Sequence, residues 1–114
     1  MPECLFCKIA AGELDTELVY EDEEVVAFND LNPQAPIHVL VIPRKHIATL
    51  NDLEPADAGL VGRLYLAATT LARKKGVDDS GYRTLMNCNA DGGQTVFHLH
   101  LHLLGGRRMG WPPG

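Results

Sequence analysis

The plainest hydrophobic pattern lies near the end of the chain, where Thr95 to Leu104 alternates strictly. In an extended chain, successive side chains point to opposite faces. The pattern therefore predicts a strand with His98, His100 and His102 on one face and Leu99, Leu101 and Leu103 in the core behind them. Upstream, Leu18-Val19-Tyr20 and Val25-Val26-Ala27-Phe28 are β-rich runs separated by Glu21-Asp22-Glu23, which predicts a hairpin. Ile37 to Ile42 predicts a third strand closed by Pro43, because proline cannot donate to a ladder. Tyr82 to Met86 predicts a fourth. Phe6, Ile9 and Ala10 sit at helical spacing within residues 4–11, and Gly12 ends that short turn. Glu54-Pro55 opens the longest helix, whose apolar face is Leu60, Leu64, Leu71 and the alanines between them, with Gly76 as its stop. Strands outnumber helices and most connections are short. The expected class is α+β: an antiparallel sheet of about five strands with one long and one short helix.

Length leaves room for a single domain over residues 1–114. A domain this small buries only about two-thirds of its unfolded surface. It would gain from a dimer interface or a metal staple. A net charge of −5 lacks the basic footprint that duplex nucleic acid requires. The N-terminal segment does not read as a signal peptide, and no run approaches the ~20 apolar residues of a membrane span. With three cysteines in such a chain, the expectation is a reducing, cytoplasmic setting. Cys88 reads as a small strand residue.

Three imidazoles in a row are a poor choice for a merely solvated face, and two chemistries can use them. Neighbours at i and i+2 stand about 6–7 Å apart and can share a zinc, but an i, i+4 pair at about 13 Å cannot without distortion. A mononuclear zinc site would thus take two of the row plus His38 and leave one histidine over. Nucleophilic catalysis uses the whole row: a neutral imidazole attacks while its neighbours set its tautomer and donate to phosphate oxygens. The preceding Asp91-Gly92-Gly93-Gln94-Thr95 loop favours phosphate, since glycines let backbone N–H groups approach an anion.

The segment Gly92-Gly93-Gln94-Thr95-Val96-Phe97-His98-Leu99-His100-Leu101-His102-Leu103 resembles the signature of the histidine triad superfamily. The likeness extends over Phe28 to His38, Val41 to His46, Gly105-Gly106-Arg107 and the Trp111-Pro112-Pro113-Gly114 tail, which resembles the nucleotide-binding (Hint) branch. It implies an AMP-binding homodimer acting as an adenosine 5′-phosphoramidase, with two five-stranded sheets joined into ten strands. It further implies that His100 is the nucleophile, that His102 and His38 orient or polarise the site, and that His98 supports the row. Asn87, Gly93 and Thr95 match positions around the phosphate, and Asp30 matches a carboxylate that accepts both ribose hydroxyls. Leu5, Phe6, Ile9, Phe28 and Leu31 match the apolar slot around the base. Thr95 stands where this branch commonly has serine, and Asn29 where histidine or arginine often occurs. By resemblance, the tail of one protomer reaches toward the other's active site.

Other readings stand beside these. Asp30 could simply cap its turn, His38 could be a core histidine, and Arg44 and Lys45 read as solvated. Cys4 and Cys7, with two residues between them, can hold a structural zinc with His46 and His98; four protein ligands would leave it no open position for catalysis. Catalysis itself is expected to need no cofactor. Rival functions are a dinucleoside polyphosphate hydrolase, a zinc hydrolase using the histidine row as ligands, and a nucleotide-sensing protein with little turnover.

Overall fold

The computed structural model describes residues 4–114. Its elements are α1 (Leu5–Ala10), β1 (Leu18–Glu21), β2 (Val25–Asn29), β3 (Ile37–Pro43), α2 (Ala58–Lys74), β4 (Tyr82–Leu85) and β5 (Leu101–Gly105). All five strands pair antiparallel in the order β1-β2-β3-β5-β4. The expected α+β class holds, and a short 3₁₀ turn at Pro55–Asp57 leads into α2.

The alternation along the strands divides the molecule into two layers of contact. Val25 and Ala27 of β2, Val39 and Val41 of β3, and Leu101 and Leu103 of β5 face α2, where they pack with Leu64, Ala67, Ala68, Leu71 and Ala72. The intervening residues Val26, Phe28, Leu40 and Ile42 turn to the other face and pack under Phe6, Ile9 and Ala10 of α1. β2 and β3 are therefore apolar on both faces, which is why their sequence reads as continuous runs rather than alternation. At β5 the second face is histidine instead.

Several boundaries differ from the sequence expectation. β5 begins at Leu101 rather than Thr95; the stretch before it still alternates, but the Leu99 N–H is donated at 2.6 Å to the Ile47 carbonyl instead of to a strand. Pro43 remains in the ladder, opposite Val25, as the last residue of β3. β4 ends at Leu85, so Cys88 is not a strand residue and lies in the following loop. Arg44 is only partly solvated: its guanidinium donates to the carbonyls of Asp22 (3.0 Å) and Ala10 (2.6 Å), pinning α1 to the β1–β2 turn. Lys45 is exposed but pairs with Asp57 at 2.7 Å. No helix among the described residues is long and apolar enough to cross a membrane.

Candidate active site

Backbone partners fix the tautomers of His38, His98 and His100, and His38 in turn fixes that of His102. The Nδ1 of His100 lies 2.8 Å from the His98 carbonyl oxygen, which can only accept, so Nδ1 carries the proton. The neutral ring then has its lone pair on Nε2. His100 is 7% exposed and lines an open cavity of about 550 Å³. An unprotonated ring nitrogen is therefore presented by a residue that lines this cavity.

A second chain of donors starts at the loop before β3. The Gln34 N–H donates to His38 Nδ1 at 3.0 Å, which leaves the His38 proton on Nε2. That Nε2–H donates to His102 Nδ1 at 2.9 Å, so the His102 proton is in turn on its own Nε2. His102 Nε2 is buried and has no hydrogen-bond partner among the described residues. A buried donor without an acceptor costs free energy, and a ligand oxygen in the cavity that His102 also lines would supply one. Burial, with His100 and His38 beside it, pushes the His102 pKa down to about 4. Burial also lowers His38, against the raising influence of Asp30. Both rings are neutral at pH 7, as this relay requires.

The cavity walls come from three elements. Leu5, Phe6 and Ile9 of α1 face Phe28 of β2 and Leu40 of β3, with Asn29, Asp30, Leu31, Thr95 and Val96 along its edges. Phe6 stands edge-on to His100, with ring centroids 5.2 Å apart, and to Phe28 at 5.3 Å. Leu31 is fully exposed (101%), so it belongs to the rim and not to the core. Of the Asp30 carboxylate, one oxygen caps the turn by accepting the Asn32 N–H at 2.8 Å; the other lies 3.4 Å from His38 Nε2. The turn-cap reading of Asp30 thus has a physical basis, and its second oxygen lies at the edge of the cavity beside His38.

Asn87 and Gly93 are not among the residues lining the cavity; the Asn87 amide donates to the Gly92 carbonyl at 2.5 Å. The glycine pair serves the loop's own conformation. A Cβ on Gly92 would meet the Cys88 carbonyl oxygen at 2.5 Å, and Gly93 has a φ of +80°. Conversely, Asp15, Thr16, Glu17, Leu40 and Val96 line the cavity without having been singled out from sequence. Leu40 and Val96 could have been found, since each neighbours a histidine position across or along a strand; Asp15 to Glu17 carry no periodic signal.

His98 faces away from this cavity. Its Nε2 donates to the Pro43 carbonyl at 2.8 Å, which puts the lone pair on Nδ1. That Nδ1 lies 3.4 Å from Cys4 Sγ, 3.5 Å from Cys7 Sγ and 3.2 Å from His46 Nδ1; Cys7 Sγ is 3.2 Å from His46 Nδ1. Zinc bonds of about 2.3 Å to sulfur and 2.0–2.1 Å to nitrogen give tetrahedron edges of roughly 3.3–3.8 Å. The four side chains fit that metal. Burial, with Cys4 adjacent, raises the Cys7 thiol pKa, so a thiolate there needs a cation. His98 also joins the two sites, with its ring in the cysteine cluster and its carbonyl on His100.

Comparison with known proteins adds to this geometry. Residues 3–110 match the family described as "Scavenger mRNA decapping enzyme C-term binding". The chain is 48% identical over 112 residues to an uncharacterized HIT-like protein of Synechocystis, covering 98% of this chain and 97% of that one. It is 44% identical over 108 residues to the purine nucleoside phosphoramidase of Escherichia coli K12, covering 95% and 91%. Among solved structures, a HIT family hydrolase from Legionella pneumophila superposes with a TM-score of 0.96 at 53% identity, covering 98% of this chain and 100% of that one. A zinc-bound histidine triad family protein from Mycobacterium smegmatis superposes with a TM-score of 0.78 at 31% identity, covering 99% and 81%.

Proposed function

This chain belongs to the histidine triad hydrolase family, and we propose that it cleaves purine nucleoside phosphoramidates and related AMP conjugates through a covalent nucleotidyl-histidine at His100. One observation carries the reading: the bare Nε2 of a nearly buried imidazole, held by a backbone carbonyl, beside a second imidazole whose Nε2–H is buried without an acceptor. In the first step His100 Nε2 attacks phosphorus, the P–N bond breaks, and the departing amine takes up a proton. In the second, water attacks the same phosphorus, the bond to His100 breaks, and AMP leaves with the ring neutral again. His102 Nε2–H, backed by His38, donates to a phosphoryl oxygen as charge builds there. Thr95 supplies a hydroxyl on the same wall, and Asn87 and Gly93 shape the loop behind it. Leu5, Phe6, Ile9, Phe28 and Leu31 enclose the base, and Asp30, with lone pairs beyond its turn contact, accepts from the ribose.

Zinc in the cluster of Cys4, Cys7, His46 and His98 would be structural. Four protein ligands close the coordination sphere, so the reaction needs no metal. Two features support the homodimer. Strand β4 is a sheet edge, and α2 leaves Tyr65 and Leu66 exposed, the latter at 67%. Joining two β4 edges continues the sheet to ten strands. Reduced thiols at Cys4, Cys7 and Cys88 suit a cytoplasmic setting.

The test compares an adenosine phosphoramidate with a diadenosine polyphosphate, each with and without a chelator. The reading expects faster turnover of the phosphoramidate, unaffected by chelation in protein that stays folded. Preference for the polyphosphate would favour the dinucleoside hydrolase. Turnover that disappears and returns with metal would favour a zinc hydrolase. Tight binding with negligible turnover of either would favour a nucleotide sensor.

A further inference from the structure

The cavity has two chemically different ends. Leu18 pairs with Phe28, Phe28 with Leu40, and Leu40 with His102, so four strands meet in one row across its floor. At about 4.8 Å between strands, His102 and the start of β1 are separated by on the order of 14 Å. At the far end, just before β1, Asp15, Thr16 and Glu17 line the cavity. None of the three makes a side-chain hydrogen bond or ion pair among the described residues. Between the ends lies the apolar slot of Phe6, Ile9, Phe28 and Leu40. At the histidine end, His100, 7% exposed and hydrogen-bonded through Nδ1 to the His98 carbonyl, presents an Nε2 with no hydrogen-bond partner among the described residues.

We propose that the carboxylates of Asp15 and Glu17 read the edge of the base and favour guanine over adenine. The inference rests on the nucleotide reading above and deepens it by naming the base. Orientation follows from charge: phosphate is repelled by two carboxylates and drawn to the imidazole donors, so the base occupies the acidic end. The leaving amine stays at the histidine end with the phosphorus, too far away for Asp15 to recognise. A carboxylate only accepts hydrogen bonds. Guanine offers N1–H and the 2-amino group side by side, which matches a carboxylate with two charge-assisted bonds. Hypoxanthine offers N1–H alone. Adenine places the N1 lone pair beside its 6-amino group, so it can donate once but also presents an acceptor to an acceptor.

Calorimetric binding of GMP, IMP and AMP to the wild-type dimer and to Asp15→Ala, Glu17→Ala and the double variant tests this without depending on turnover. The affinity order GMP, IMP, AMP is expected, and the double variant should lower GMP affinity roughly three- to tenfold more than AMP affinity, as for one or two exposed charge-assisted bonds. Both side chains are exposed, so the variants should keep the thermal stability of the wild type. An order led by AMP, or a GMP-to-AMP ratio unmoved by the double substitution, overturns the assignment. Failure of all three nucleotides to bind would overturn it together with the nucleotide reading. Normal base discrimination in a protein that turns over no phosphoramidate would remove only the proposed reaction.

Discussion

At the scale of single residues, hydrogen-bond partners on the backbone decide the chemistry. In the proposed reaction His100 is the nucleophile because the His98 carbonyl holds its Nδ1 proton, and His102 is the donor because His38 and Gln34 stand behind it. His100→Ala should lower kcat by several orders of magnitude while AMP binding stays measurable, because a covalent nucleophile acts on the rate and its loss removes few binding contacts. Asp30→Ala should weaken ribonucleotides more than 2′-deoxynucleotides, with charge-assisted bonds worth about 1.5–3 kcal/mol each at most. Equal losses for both sugars would show that the turn contact to Asn32 is its whole role. His102 also predicts a pH effect on stability. Its folded pKa of about 4 lies below the unfolded value of about 6.5, so between these the unfolded chain binds more protons. Stability should be level above pH 6.5 and decline as pH falls toward 4, by about 2 kcal/mol between pH 7 and pH 5. Denaturant titrations at those two pH values check this, and His102→Gln should lose less over the same interval.

At the scale of elements, α1 does two jobs at once. It carries Cys7, with Cys4 as its N-cap, and the apolar wall of the cavity, and it is only six residues long. A helix this short has little stability of its own. It is held by Arg44, by the packing of Phe6 and Ile9, and by the Cys4–Cys7–His46–His98 cluster. Purified protein should carry about one zinc per chain, and the Cys4→Ala, Cys7→Ala double variant should lose Tm to a greater extent than kcat. A metal content near zero with unchanged Tm would leave the cysteines as packing only. The sequence made most elements legible, because alternation and helical spacing are properties of the backbone. It placed the β5 boundary six residues early for the same reason: His98 to His100 alternate like a strand but bond to Ile47 and Pro43 outside any ladder. Arg44 was unreadable because its acceptors are carbonyls brought near only by the fold. The histidine tautomers were hidden likewise, and Asp15 to Glu17 have no pattern to mark them.

At the scale of the whole molecule, the proposed dimer would let the tail of one protomer decide what surrounds the leaving group in the other. Trp111 is 83% exposed, while the Arg83 guanidinium donates to the Gly110 carbonyl at 2.9 Å and gives the segment before it a fixed exit. An exposed tryptophan stiffened by two prolines suits a pocket on a neighbouring protomer. Deleting residues 109–114 should leave sedimentation as a dimer and AMP affinity nearly unchanged but reorder substrates that differ only in their amine. A monomer for the intact chain, or an unmoved ranking, would contradict this. The central claim remains covalent catalysis at His100, and intact-protein mass spectrometry of an acid-free quench during turnover tests it most directly. The account predicts a nucleotidyl adduct that maps to His100, is absent from His100→Ala, and decays as AMP appears. An adduct on another residue, or substrate consumed at full rate with no adduct at His100 during single-turnover reaction, would contradict it.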